Sequence, residues 1–264
     1  AFPAPMCPAA QPPAPCPSTD LDQPVRGPSA QDSTLVRIKR DRHAVPVLPL
    51  WLNAATALIV LAVLVVALLG IDWRRLGDLE AQAVFFALLA LSVGARLGRI
   101  ELQPGLDLHL FGASIAALML GWRFAALLQI LAVALVALLW QRYWLSLPLD
   151  LLVTGLLPVL VTTALLDIAQ KRLPAHLFVY LLFNAFLAGA LSIACAHIGK
   201  LLILLAIAAF DLGTLGENFL LTVPALMFPE GFATGAVLTL AVAYRPRWVA
   251  TFHDPSYLDF GSRQ

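Results

Sequence analysis

"LPLWLNAATALIVLAVLVVALLGI" (Leu48–Ile71) runs for 24 residues without a charged side chain. Wound as a helix at 1.5 Å per residue, it reaches about 36 Å, more than the roughly 30 Å hydrocarbon core of a bilayer. The apolar residues are continuous and do not alternate with polar ones, which sets aside an outer-membrane strand. Trp51 near the start suits the headgroup region. The stretch reads as a transmembrane helix, and the rest of the chain repeats the pattern.

Ala81–Ala95 is a shorter apolar run that ends in "RLGR". From Leu108 to Gln141, His109 and Arg123 are the only ionisable residues in a largely apolar run of 34. A single helix of that length would be about 51 Å long, so "LGWR" (120–123) predicts a tight helical hairpin. Further runs are Leu147–Leu166, His176–His197, Ile198–Leu215 and Phe219–Tyr244, with Lys200 and Asp211 making Ile198–Leu215 the weakest. Over all 264 residues, 60% are hydrophobic and 12% charged. Soluble domains hold about 45–50% apolar and about 25% charged residues. The expected fold class is an all-α polytopic integral membrane protein, a bundle of seven or eight transmembrane helices spanning 48–246.

Flanking that bundle are two tails. Residues 1–47 begin "AFPAPMCPAAQPPAPCPSTDLDQPVRGPSAQDS", a Pro- and Ala-rich composition that cannot build a packed core and reads as an extended tail. It holds no apolar stretch of the signal-peptide kind. Cys7, Cys16 and Cys195 are too few and too dispersed for a disulfide scaffold or a zinc site. Residues 247–264 form a short aromatic tail with Phe252, Tyr257 and Phe260, suited to the membrane surface or a partner. Arg245, Arg247 and Trp248 mark its start as a membrane anchor on the cytoplasmic side. With eight spans, 12 of the 17 Lys and Arg fall on one side, whereas seven spans leave roughly 8 against 9. Charge bias therefore favours eight spans, both termini cytoplasmic, and the loop holding His109 on that side too.

No phosphate loop, nucleophile elbow, HExxH or CxxC occurs, so the chain is expected to be neither an enzyme nor itself an ATPase. A formal net charge of +1, with no basic patch interleaved with aromatics, gives no sign of a nucleic-acid partner. What remains is a set of ionisable and polar groups at or within the spans. "RIELQPGLDLHLFGAS" (99–114) gathers Glu101, Asp107 and His109 around a Pro-Gly turn. Neutral imidazole binds divalent transition metals and a nearby carboxylate can orient it, although a lone loop histidine is more often an interface residue. "FDLGTLGEN" (210–218) places Asp211 and Glu217 in a link that reads as solvated. Asn184 within a span reads as a helix-to-helix hydrogen-bonding group. Glu230 is the only charge from Phe219 to Tyr244. A carboxylate at bilayer depth costs several kcal/mol unless it is paired, protonated or wet, which points to a functional position. The competing reading is a kink near one surface, made by Pro224 and Pro229.

Three of these stretches resemble one family. "LQPGLDLHLFGASIAALMLGW" (102–122) is similar to a segment in which a Pro-Gly turn leads to a His and then a small-residue helix ending in Leu-Gly. "FPEGFATGAVLTLAVAYRPRW" (228–248) resembles that family's last helix, and "FNAFLAGALS" (183–192) a third stretch. The family is that of the membrane substrate-binding components of cobalt and nickel energy-coupling-factor transporters, and the likeness is greatest to an uncharacterised bacterial branch of it. The resemblance covers roughly 95–258. It implies a multi-pass protein of the bacterial inner membrane that binds a divalent transition metal or small ligand. It also implies separate ATPase and coupling subunits, with His109 as a metal ligand and Glu230, Asp107, Glu101 and Asn184 as supporting polar groups. The long N-terminal tail and aromatic C-terminus also fit a different class, a non-transporting accessory subunit packed in a larger membrane complex.

Overall fold

The computed structural model describes residues 48–98, 100–103, 106–110, 112–140, 146–174, 176–207 and 222–252. Seven helical segments follow one another: α1 (Leu50–Gly70), α2 (Leu79–Leu97), α3 (Ala113–Leu120), α4 (Trp122–Trp140), α5 (Leu147–Arg172), α6 (Leu177–Ala206) and α7 (Thr222–Tyr244). Between α2 and α3, strands β1 (Ile100–Gln103) and β2 (Leu106–Leu108) pair antiparallel, with Glu101 opposite Asp107. All the helices but α3 are long and apolar enough to cross a membrane. Their outer faces carry exposed Leu58, Leu61, Val66, Leu138, Leu202, Phe232 and Leu240. So much uncovered apolar surface is what lipid, and not water, would solvate. The protein is a multi-pass membrane bundle.

Its ends can be read from contacts. At the exit end, Arg123 Nη1 donates to the Gly70 carbonyl at 2.8 Å and Trp248 Nε1 to Glu80 at 2.7 Å. There too the Ala250 N–H donates to the Met119 carbonyl at 2.9 Å. At the opposite, entry end, Leu48 packs in one cluster with Leu149, Leu201, Leu204 and Val223. The chain therefore enters at Leu48 and leaves after Tyr244 at opposite ends, and the β-hairpin with α3 makes one crossing. Of the seven or eight transmembrane helices expected, the described residues contain six long enough to cross, and the eight-residue α3 beside them.

Three sequence expectations are revised by this. The helical hairpin turning at 120–123 exists, and Gly121 makes it possible with φ +82°, a backbone that L side chains rarely adopt. Its first arm, however, is only eight residues long. Second, α6 runs unbroken past His197 to Ala206, so no separate helix begins at Ile198. Because Val223 packs beside Leu201 and Leu204, α7 re-enters from the end at which α6 finishes. The eight-span count, with both termini on one side, gives way to seven crossings with the ends on opposite sides. Third, Arg96 and Lys200, counted as surface charges, are 3% and 6% exposed and lie inside the bundle. All of 1–47 and most of the C-terminal tail, including Tyr257 and Phe260, lie outside the described residues, as do Cys7, Cys16, Asp211 and Glu217.

Small residues set the helix spacing. Ala113, Ala116, Ala125, Ala132, Ala185, Ala188 and Ala196 are fully buried, so backbones approach closely where lipid offers no hydrophobic drive of its own. The tightest crossing joins α6 to α7. A Cβ on Gly231 would stand 2.7 Å from the Phe186 carbonyl oxygen, and one on Gly189 would stand 2.8 Å from Thr234 Oγ1. Gly231→Val is therefore expected to destabilise the bundle by about 1–3 kcal/mol through overpacking. Gly94→Ala, where a Cβ meets open space, should be neutral or slightly stabilising. Thermal unfolding in detergent followed by tryptophan fluorescence checks the pair, and equal melting temperatures would contradict this packing.

Candidate functional site

Six helices bring polar groups together in the middle of the bundle, and α5 shows why. Pro158 has no N–H to give the carbonyl four residues earlier, so the Thr154 carbonyl lacks its helical donor. The local winding widens there into a π-turn over Leu151–Leu156, a feature that often marks functional positions. Arg96, near the end of α2, fills the vacancy. Its Nη2 donates to the Thr154 carbonyl at 2.7 Å and to Gln129 Oε1 on α4 at 2.9 Å. Gln129 Nε2 in turn donates to Ser92 Oγ, one helical turn before Arg96. The other terminal nitrogen of Arg96, Nη1, lies 3.1 Å from Thr154 Oγ1 and 3.0 Å from His109 Nε2.

His109 thus sits just beyond β2, facing this interior, and its ring meets that of His197 edge to face at 6.4 Å between centroids. His197 is fully buried on α6. One turn further along, Lys200 Nζ pairs with Asp150 at 3.1 Å and ties α6 to α5. Asp150 and Glu230 are the anionic groups whose fields reach the Arg96 guanidinium. Two cations and two carboxylates thus lie in one low-dielectric interior, where each offsets the cost of burying the others.

Glu230 is 3% exposed, and its Oε1 accepts the Gly112 N–H at 2.9 Å. Gly112, with φ +62°, precedes the first residue of α3, so the carboxylate stands at the positive end of that short helix. Glu230 lies inside a continuous α7, which overturns the reading of a surface kink between two helices: Pro229 is accommodated within the helix. Beside this contact, Ser114 Oγ reaches Thr162 at 2.8 Å and Ser192 at 2.7 Å, and so holds α3 to α5 and α6.

Of the residues singled out from sequence, His109 and Glu230 come together around the start of α3. Glu101 and Asp107 are placed opposite each other in the hairpin that leads to His109. Asn184 is buried in the π-turn of α6, and its Oδ1 has no hydrogen-bond partner among the described residues, so the predicted helix-to-helix bond through that atom is not seen. Arg245 and Arg247 are exposed beside Trp248 at the exit end, as an anchor requires. Phe252 packs on Tyr180 at 5.3 Å, and Thr251 Oγ1 donates to the Leu118 carbonyl at 2.7 Å. The start of the tail therefore covers the C-terminal end of α3, where helical carbonyls lack donors. Arg96, Gln129, Thr154 and His197 were missed by sequence reading. Their signals were a Thr four residues before a Pro, and a Ser-to-Arg spacing of four on one helix face. Among the described residues, no group of three or more His, Cys, Asp or Glu is arranged to hold a metal ion.

Comparison with known proteins places this geometry. A family model described as "Cobalt uptake substrate-specific transmembrane region" matches residues 45–248. No curated protein sequence matches the chain. Among solved structures, a truncated transition metal transporter superposes with a TM-score of 0.62 at 16% identity, covering 75% of this chain and 97% of its own. A second, a transition metal transporter, gives 0.61 at 16% identity over 75% of this chain and 91% of its own. At such identity the likeness establishes a shared fold.

The Glu230–Gly112 contact gives a direct test. Glu230→Ala leaves the Gly112 N–H buried without its acceptor and is expected to cost about 1–3 kcal/mol. Glu230→Gln keeps an oxygen in place and should cost less than half as much. Thermal unfolding of the three proteins in one detergent decides, and indistinguishable midpoints would remove Glu230 from its role.

Proposed function

Because the chain belongs to the family of cobalt uptake substrate-specific transmembrane regions, we propose that it captures a transition-metal ion at the entry end of the bundle through His109. The observation that supports this most is the position of His109. It follows the hairpin that carries Glu101 and Asp107, at the threshold of the buried polar interior. Imidazole nitrogen and carboxylate oxygen together suit cobalt and nickel, which lie on the borderline between hard and soft cations. Glu230 supports the site from behind by fixing the start of α3, and Arg96 fixes the imidazole.

Orientation follows from the same reading. An importer presents its ligands outward, so the entry end faces away from the cytoplasm of a bacterial inner membrane and the C-terminus faces the cytoplasm. With seven crossings the Lys and Arg divide roughly 8 against 9 between the two sides, so this orientation rests on the importer reading and not on charge bias. With no nucleotide-binding motif in its sequence, the protein needs separate ATPase and coupling subunits as membrane partners. One observation favours the alternative of a non-transporting accessory subunit in a larger membrane complex: the Arg96 guanidinium already lies on His109.

Metal content separates the two readings. Purified protein dialysed against cobalt should retain about one ion per chain, and His109→Ala should lose most of it while still folding. Elemental analysis by mass spectrometry measures both. Full stoichiometry in His109→Ala would end the ligand assignment, and no cobalt in either protein would favour the accessory role.

A further inference from the structure

We propose that Arg96 is a tethered counter-ligand, a cation of the protein's own that occupies the metal-binding lone pair of His109 and sets how tightly a metal is taken. The inference rests on the metal-capture reading above and deepens it. A guanidinium has N–H donors and no acceptor, so the 3.0 Å contact between Arg96 Nη1 and His109 Nε2 can form only with Nε2 as acceptor. A neutral His109 then carries its proton on Nδ1. In this conformation neither ring nitrogen offers a lone pair to a metal: one holds a proton and the other receives a bond from Arg96. A divalent ion bound through Nε2 must take the place of the Arg96 N–H, and its charge then stands beside that of the guanidinium.

The surroundings make such an exchange feasible without stranding Arg96. Its Nη2 stays bonded to the Thr154 carbonyl and Gln129 Oε1, and Nη1 keeps Thr154 Oγ1 as a second acceptor. Only the bond to His109 has to be given up. Loss of that one contact would free the imidazole while the guanidinium remains anchored between α2, α4 and α5. Arg96 would then oppose weakly held cations and admit those whose bond to imidazole nitrogen is strong enough to displace it, which favours cobalt and nickel over magnesium or calcium.

The test uses the full-length protein in detergent, with Co²⁺ and Ni²⁺ as probes. Isothermal titration of wild type, Arg96→Gln and Arg96→Lys should show binding about tenfold or more tighter in Arg96→Gln, and little gain in Arg96→Lys, which retains the positive charge. Equal affinities in wild type and Arg96→Gln would overturn the inference and leave metal capture standing. Absence of binding in every variant would overturn both. Should Arg96→Gln not fold, ¹⁵N spectra of histidine-labelled wild type, assigned with His109→Ala, provide a second readout. The metal-free protein should show His109 protonated at Nδ1 with Nε2 accepting a hydrogen bond. A proton on Nε2 would contradict the role of Arg96 irrespective of metal affinity.

Discussion

A carboxylate deep inside a lipid-facing bundle is the constraint from which the rest of this structure follows. Glu230 stands on α7 without a solvent shell and is held by the Gly112 N–H at 2.9 Å. That bond fixes where α3 begins, since Gly112 adopts a left-handed backbone with the Ser92 hydroxyl near the position of a Cβ. A helix starting this deep needs only eight residues to reach the exit end. There the residues after α7 return to cover its last carbonyls, with Ala250 on Met119 and Thr251 on Leu118. Both ends of α3 are thus secured by α7 and the segment behind it, so the short helix has no exposed backbone within the membrane.

The other half of the interior follows from a missing N–H. Pro158 deprives the Thr154 carbonyl of its donor, and the guanidinium of Arg96 supplies one. Burying that charge is tolerable because four neutral or backbone acceptors receive its N–H groups. The result is an arginine, bonded to groups on α4 and α5, that also contacts the His109 imidazole following the hairpin. The His109 ring meets Arg96 on α2 and His197 on α6. The neighbouring ring of His197 and the Lys200–Asp150 pair extend the polar interior toward the entry end.

Much of this was legible in the sequence, for physical reasons. Long charge-free runs such as Leu48–Ile71 have one stable solution in a bilayer, so the helical membrane fold followed from periodicity and length. Glu230 and His109 stood out because an ionisable side chain among apolar residues is costly. The crossing count was less legible. Lys200 looked like a boundary because a lone lysine in an apolar run suggests a helix end, yet Asp150, fifty residues earlier, is its partner. Arg96 was hidden by its place near a helix terminus, where a basic residue ordinarily snorkels to the surface. The charge count favoured eight spans because Ile198–Leu215 was taken as a separate crossing, which placed the C-terminal arginines on the same side as the basic residues before the first span. A half-length helix such as α3 leaves no signature in hydropathy, because the adjoining apolar residues of α4 mask its end.

The most direct measurement is X-ray absorption spectroscopy at the cobalt edge on the full-length, cobalt-loaded protein, alongside His109→Ala treated identically. Capture through His109 predicts the multiple-scattering pattern of imidazole in the wild-type spectrum and its loss or reduction in the variant. Cobalt surrounded by oxygen alone in the wild type, or an imidazole pattern unchanged in His109→Ala, would contradict it.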